Sequence, residues 1–394
     1  MRDKRSADVI VIGGACGSAI AHKLAERGKR VTLLCRNDVG GATDTNQKWL
    51  HSGLLYPSGT MAERAWSNRT LDWELKRPYL VGPQYAYILA LNKETISQRE
   101  AMWDKWTKAG LKVPAAQRLG AKAKDQLASL GAKFEDGWKT VDCAIDFPAL
   151  VADMRRNLAG QLRRNGHFPT PRIHGDVLEG AKVLRLCRKT MGIAGVEYEL
   201  RGKLCTLSCN QCVLAAGAWS YGLLREIDID LPLVRKKCLV LAFKRASHTK
   251  RLRQITVWLD IKKEDGTQAD FTLVPFRGQV LAAGTDFRLI YQLGAQHLED
   301  LKPGPSEIAA LRRELNQCFG RPRSAPFDTT SCEPRVCFKT EQYNAGHPDV
   351  DLKVYTQNTG LRDGGHGVPG LIVAIPGKAS LMFDLAREVS KYVQ

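Results

Sequence analysis

The chain has 394 residues, 44% of them hydrophobic, 25% charged and 7% aromatic. That balance excludes collagen-like, low-complexity and natively disordered classes, and the length allows two or more domains. Lys and Arg outnumber Asp and Glu by 59 to 41, a net charge of +18. The excess is spread out, with only short clusters such as Arg235-Lys236-Lys237 and Lys250-Arg251-Leu252-Arg253. There is no basic tail, zinc-finger spacing or RNA-binding aromatic motif, which argues against nucleic acid as a partner. Attraction of a small anionic substrate is the better reading, followed by peripheral contact with an acidic membrane surface. No apolar run reaches 18 residues, so no transmembrane helix is expected. The N-terminal residues lack the features of a secretory signal, and eleven scattered cysteines read as reduced thiols, so the expected location is cytoplasmic.

The first element is the uninterrupted apolar run Ala7–Ile12, the mark of a strand buried on both faces of a parallel sheet. Glycines follow, then a helix over Ser18–Arg27 that Gly28 ends, then a second strand over Arg30–Leu34. Together they make a βαβ unit. Asp146-Phe147-Pro148 predicts a helix start, with Asp146 as cap, and Asn165-Gly166 its end. Cys212–Ala218 reads as another buried strand running into a small-residue turn. Between Leu231 and Phe287 come several strands in a row, including Cys238–Phe243, Phe271–Pro275 and Val280–Gly284, which predicts a mixed or antiparallel sheet of its own. The C-terminal part returns to α/β form, with a strand over Gly370–Ile375 and a helix from Ala379. The fold class is therefore α/β, α+β overall. A discontinuous Rossmann-like nucleotide domain comprises residues 1–85, 140–220 and 335–394. A substrate or cap domain comprises 86–139 and 221–334.

The turn after the first strand reads Gly13-Gly14-Ala15-Cys16-Gly17-Ser18. Glycines at such a turn let the backbone approach a pyrophosphate, which then rests on the helix N-terminus. Gly17 takes the place of the last glycine, the one expected to permit close helix–strand packing. The gap from Gly13 is then four residues, where the dinucleotide fingerprint has five. A second departure lies at the end of the second strand, where an acid normally meets the ribose hydroxyls and this chain has Cys35 and Arg36. Arg36 could meet a 2′-phosphate, as in NADP, or Asp38 could reach the ribose by another path. A Rossmann-like core that binds no dinucleotide is a further reading of this turn.

Several segments read together resemble the FAD-dependent oxidoreductases related to D-amino-acid oxidase, and within them the glycerol-3-phosphate dehydrogenase and L-2-hydroxyglutarate dehydrogenase branches. Ala7–Arg36 resembles the N-terminal FAD unit. The stretch with Gly41, Ala42 and Thr43, continuing through Lys48-Trp49-Leu50-His51 to Pro57, is similar to the loop that lies along the flavin. Val213–Ser220, with Gly217, is similar to the family's second nucleotide-side strand and turn, and Gly370–Ala386, with Gly377-Lys378, to the segment that closes over the flavin ring. The resemblance implies FAD rather than NAD(P). It also implies hydride transfer to flavin from a C–OH or C–NH bond of a small anionic substrate. The electron acceptor is left open among oxygen, a quinone and a protein carrier. Amine or amino-acid oxidation by the same fold, and a non-catalytic relative without tightly bound FAD, are the alternatives.

Three side chains follow from the resemblance. His51 falls where those dehydrogenases carry a histidine on the flavin loop, suited to take a proton near neutral pH. Arg335 resembles the arginine that clamps a substrate oxyanion with its planar fork. Lys378 would place positive charge beside the reduced flavin. The expected cofactor-binding set is Gly13, Gly14, Ala15, Gly17, Cys35, Arg36, Gly41, Ala42, Thr43, Gly217, Gly377 and Lys378. Restoring an acid with Cys35→Glu is expected to tighten FAD binding. Cys205, Cys209 and Cys212 have spacings found in metal sites, but lack a fourth ligand nearby and include a residue of a buried strand, so no metal is expected. Cys16 and Cys35 read as small buried thiols rather than redox sensors.

Overall fold

In a computed structural model the chain is described over residues 7–36, 48–161, 175–190, 192–244, 252–263, 265–284, 288–290, 302–319, 332–344, 347–349, 352–357, 362–363, 366–376 and 381–394. Strand β1 (Ala7–Gly13) runs through the single residue Gly14 into helix α1 (Ala15–Glu26), and strand β2 (Val31–Cys35) follows. The remaining parts of this unit arrive much later: helix α2 (Phe147–Leu158), strands β3 (Gly175–Glu179), β4 (Lys203–Ala215) and β5 (Leu371–Ile375), and helix α3 (Met382–Val389). The five strands are parallel in the order β3-β2-β1-β4-β5. This is the doubly wound order in which a ligand binds beyond the strand carboxyl ends, where the order reverses between β1 and β4.

Their side chains explain the layering. Val9, Val11, Val31 and Leu33 pack against α1, α2 and α3 on one face. Ile10, Ile12, Leu214 and Val373 pack on the other against Leu186, Val196 and Leu223. Leu186 and Val196 belong to the strands Lys182–Lys189 and Gly192–Leu200, an antiparallel meander that widens the sheet along the first half of β4. That long first half of β4 lies outside the expected Cys212–Ala218 run, because one of its faces is polar and its apolar signal starts only where both faces become buried. Helix α2 starts as expected, with Asp146 capping Ala149 N–H at 3.2 Å. It ends at Leu158, earlier than Asn165-Gly166, which lie outside the described residues.

The second sheet has ten strands and draws on chain segments far apart in sequence. Ala86–Ala90 and Asp136–Thr140 join it from the first half of the chain, the former pairing in parallel with Ile255–Lys262. Leu233–Lys244, Gln268–Phe276, Gln279–Gly284 and Cys332–Asn344 supply its antiparallel body. The expected boundary at residue 335 falls inside the strand Cys332–Asn344, which pairs along its length in this sheet, so Arg335 is carried by the ten-stranded sheet. One face of the sheet is covered by helix Pro305–Cys318, through Leu311 and Leu315. On the other face, Val240, Ala242, Val257, Val274 and Leu281 form a core with Trp49 and Ala144 from the short strands Trp49–Leu50 and Cys143–Ile145. That inner face packs on these short strands, which belong to a small sheet of three.

Candidate active site

The glycine turn sits at the carboxyl edge of the parallel sheet. Gly13 stands opposite Ala215 in register, and a Cβ on it would lie 2.3 Å from the Ala215 carbonyl oxygen, so only glycine allows β1 and β4 to approach. Gly17 behaves otherwise than expected. A Cβ there would meet Leu33 Cδ1 at 3.5 Å and the Ile12 carbonyl carbon at 3.6 Å, ordinary van der Waals contact, so helix–strand packing does not require a glycine. The missing residue of the turn is absorbed by the one-residue link at Gly14. Ser18 N–H already bonds the Gly14 carbonyl at 2.9 Å. Gly14 provides no side-chain cap, and no acid stands in the first turn of α1. The amides of Ala15, Cys16 and Gly17 have no intrahelical acceptor by the geometry of a helix start, which suits a pyrophosphate. Gly217, two residues beyond β4 with a left-handed φ of 57°, opens the 3-10 turn Gly217–Trp219 on the same edge. The sheet thus brings Gly13, Gly14, Ala15, Gly17 and Gly217 together, and these residues fit a dinucleotide.

Cys35 ends β2 with 1% of its surface exposed, and its thiol faces the Leu178 carbonyl at 3.8 Å. Arg36 follows it, half-buried. Burial pushes the Cys16 thiol up to about 12 and the Cys209 thiol to about 11, and holds Cys212 well above the usual thiol range, so these are protonated structural groups. Among the described residues no group of three or more His, Cys, Asp or Glu side chains is arranged to hold a metal ion, and no helix is long and apolar enough to cross a membrane. Gly41, Ala42, Thr43, Gly377 and Lys378 lie outside the described residues.

His51 follows the strand Trp49–Leu50 and is half-buried. Its ring stacks on Trp49 at 3.9 Å between centroids, with Tyr56 beyond it at 5.8 Å. The segment is held by a residue that periodicity did not reveal. Asp142, 1% exposed, accepts from Trp49 Nε1 at 3.2 Å, from Ser52 N–H at 2.5 Å, from Ser52 Oγ at 2.8 Å and from Thr140 Oγ1 at 2.5 Å. Its partners are up to 93 positions away, so no local pattern marks it.

Arg335 stands opposite Val240 in antiparallel register. Paired residues leave a sheet on the same face, and Val240 packs with Trp49, so Arg335 projects from the inner face on which the His51 segment docks. Its fork is filled: Nε and Nη2 donate to the two oxygens of Glu333 at 3.0 and 2.6 Å, and Nη2 also reaches Gln279 Oε1 at 3.2 Å. The guanidinium holds the Glu333 carboxyl below the usual carboxylate range. The same face carries a buried ion pair between Lys236 and Glu341, 7% and 0% exposed. The face thus carries charged side chains among apolar ones, and Trp49, which packs on it, stacks with His51.

The chain belongs to the FAD dependent oxidoreductase family, whose pattern it matches over residues 8–375. It is similar to one component of the anaerobic glycerol-3-phosphate dehydrogenase of Escherichia coli K12, 29% identical over 323 residues covering 79% of this chain and 54% of that protein. It is also similar to the glycine oxidase of Pseudomonas aeruginosa, 28% identical over 258 residues covering 61% of this chain and 63% of that one. The chain therefore spans little more than half the length of the dehydrogenase component. Among solved structures, the FAD complex of the glycerol-3-phosphate dehydrogenase from Bacillus halodurans superposes with a TM-score of 0.69 at 16% identity, over 99% of this chain and 64% of that one. The amino acid oxidase NikD superposes with a TM-score of 0.71 at 18% identity, over 98% and 94%. The fold is that of these flavoproteins, and the family to which the chain belongs is one of FAD-dependent oxidoreductases.

Proposed function

We propose that the enzyme oxidises a C–OH or C–NH bond of a small anionic substrate, held between the inner face of the ten-stranded sheet and the segment carrying His51. The observation that carries this reading is Arg335 projecting from that face with its fork already matched to a carboxylate. The substrate's anionic group takes the place of Glu333 on the guanidinium, an exchange of one planar oxyanion for another. Glu333, with its side chain 62% exposed, then turns to solvent. A bound FAD would supply the hydride acceptor. His51, steadied by Trp49 and Tyr56, takes the proton of the substrate hydroxyl or amine on a ring nitrogen as the C–H bond breaks. Gly13, Gly14, Ala15, Gly17 and Gly217 form the nucleotide end of the site.

The relatives supply the first compounds to test, glycerol 3-phosphate and glycine, with an artificial electron acceptor. Arg335→Ala should raise KM for the active compound about ten- to a hundredfold, as loss of a charge-assisted fork implies, while flavin occupancy stays unchanged. Arg335→Lys should recover only part of this, because a point charge does not reproduce the fork. Equal turnover of neutral and anionic analogues by the wild type would sink the anionic-substrate reading.

A further inference from the structure

The acid that should close β2 is missing, yet the sheet puts one beside the gap. Cys35 pairs in parallel register with Glu179, the last residue of β3. Paired residues leave the sheet on the same face, here the face covered by α1 and α2, since Cys35 packs in that core. The two differ in what they can reach. Cys35 is sealed, whereas the Glu179 side chain is 44% exposed at the carboxyl edge.

Glu179 is also tied to the glycine turn. Arg155 of α2, only 3% exposed, donates from Nε to Ser18 Oγ at 3.0 Å and from Nη1 to Glu179 Oε1 at 3.2 Å. Ser18 lies in the first turn of α1, the helix whose N-terminus meets the pyrophosphate. Arg155 thus spans from that turn to the carboxylate one strand beyond Cys35. Glu179 Oε2 has no bond among the described residues. In FAD the adenosine ribose is joined directly to the pyrophosphate, so its hydroxyls fall beside the glycine turn at this edge. A carboxylate there accepts from both hydroxyls, and a thiol cannot.

We propose that Glu179, from the neighbouring strand, is the ribose-binding carboxylate of this chain, replacing the acid absent at position 35, with Arg155 fixing its direction. The proposal rests on FAD being the cofactor. It also changes the expectation for Cys35→Glu. In the wild-type background a second carboxylate would stand in register with Glu179, and like charges directly opposite destabilise a strand pair. Cys35→Glu alone therefore should not tighten FAD binding, but should do so once Glu179 is neutral.

The test is titration of apoprotein with FAD, ADP and FMN, followed by flavin fluorescence or by competition, alongside the melting temperature of each apoprotein. Glu179→Gln should weaken FAD and ADP binding by the same factor, about ten- to a hundredfold for lost hydrogen bonds to a charged group. FMN, which lacks the adenosine ribose, should bind as to wild type. The pair Cys35→Glu with Glu179→Gln should regain most of the lost affinity. Unchanged FAD and ADP affinity in Glu179→Gln overturns the proposal. So does an equal weakening of FMN with a lowered melting temperature, which would mean that losing the Arg155 contact disturbs the fold instead. Failure of the wild type itself to take up FAD would count against the cofactor, not against the place of Glu179.

Discussion

The parallel sheet and the ten-stranded sheet solve opposite problems. β1, β2 and β5 are buried almost without interruption on both faces, and the side chains there are nearly all aliphatic. What they position lies at their ends, where the glycine turn and the start of α1 stand at the carboxyl edge. The ten-stranded sheet packs Leu241, Phe243 and Leu273 under its covering helix, beside the Lys237–Glu307 ion pair, and its inner face carries Lys236, Glu341, Arg335, Glu333 and Gln279 among Val240, Ala242 and Leu281. Backbone recognition needs a rigid apolar support, whereas side-chain recognition needs polar groups placed in the support itself. Each such group buried in a sheet face must be paired, which explains why the charges of the inner face come as partners.

The sharpest way to break this comparison is to unpair one of them. Glu341→Ala leaves the Lys236 ammonium buried without its carboxylate and should cost about 3–5 kcal/mol of stability. The double change Lys236→Met with Glu341→Leu should recover most of it. Chemical denaturation of the three variants decides, and a Glu341→Ala cost of a few tenths would mean that water reaches this face. Next in size is Asp142→Ala. It strips the acceptor from the Trp49 indole, the Ser52 amide and two hydroxyls at once, for a loss on the order of 3 kcal/mol. Near-ultraviolet circular dichroism should show the Trp49–His51 stack disturbed, while Asp142→Asn should keep much of it because a carbonyl acceptor remains.

The smallest effect tests the parallel sheet through two glycines of one turn. Gly13→Ala drives a methyl into the Ala215 carbonyl and should destabilise by about 1–3 kcal/mol, with FAD uptake impaired. Gly17→Ala meets only ordinary contacts and should fall within about half a kcal/mol of wild type. Equal costs at the two positions, read from melting curves of the apoproteins, would show that the turn is not held by the β1–β4 approach.

The order of apolar runs and glycines was enough to read the nucleotide unit, because a strand buried on both faces leaves a continuous apolar signature, and a helix that follows it must start at a small-residue turn. The family likewise showed in the chain, in the segments around Gly13, His51 and Gly217. The widened β4 did not show, since a strand with one polar face lacks that signature, and neither did the joining of Ala86–Ala90 to the distant Ile255–Lys262. The side chains around the site were the least legible. Asp142, Arg155 and Glu341 are buried polar residues whose partners lie on other elements, and nothing local distinguishes a buried carboxylate from a solvated one. Sequence by itself determined the class of the protein and the absence of an acid at position 35. Only the tertiary structure decided that Glu179 stands beside that position and that Arg335 leaves the same sheet face as Val240, with its fork filled by Glu333. The physical reason is that register between strands, and the face on which a side chain leaves a sheet, are set by the packing of the whole sheet rather than by neighbours along the chain.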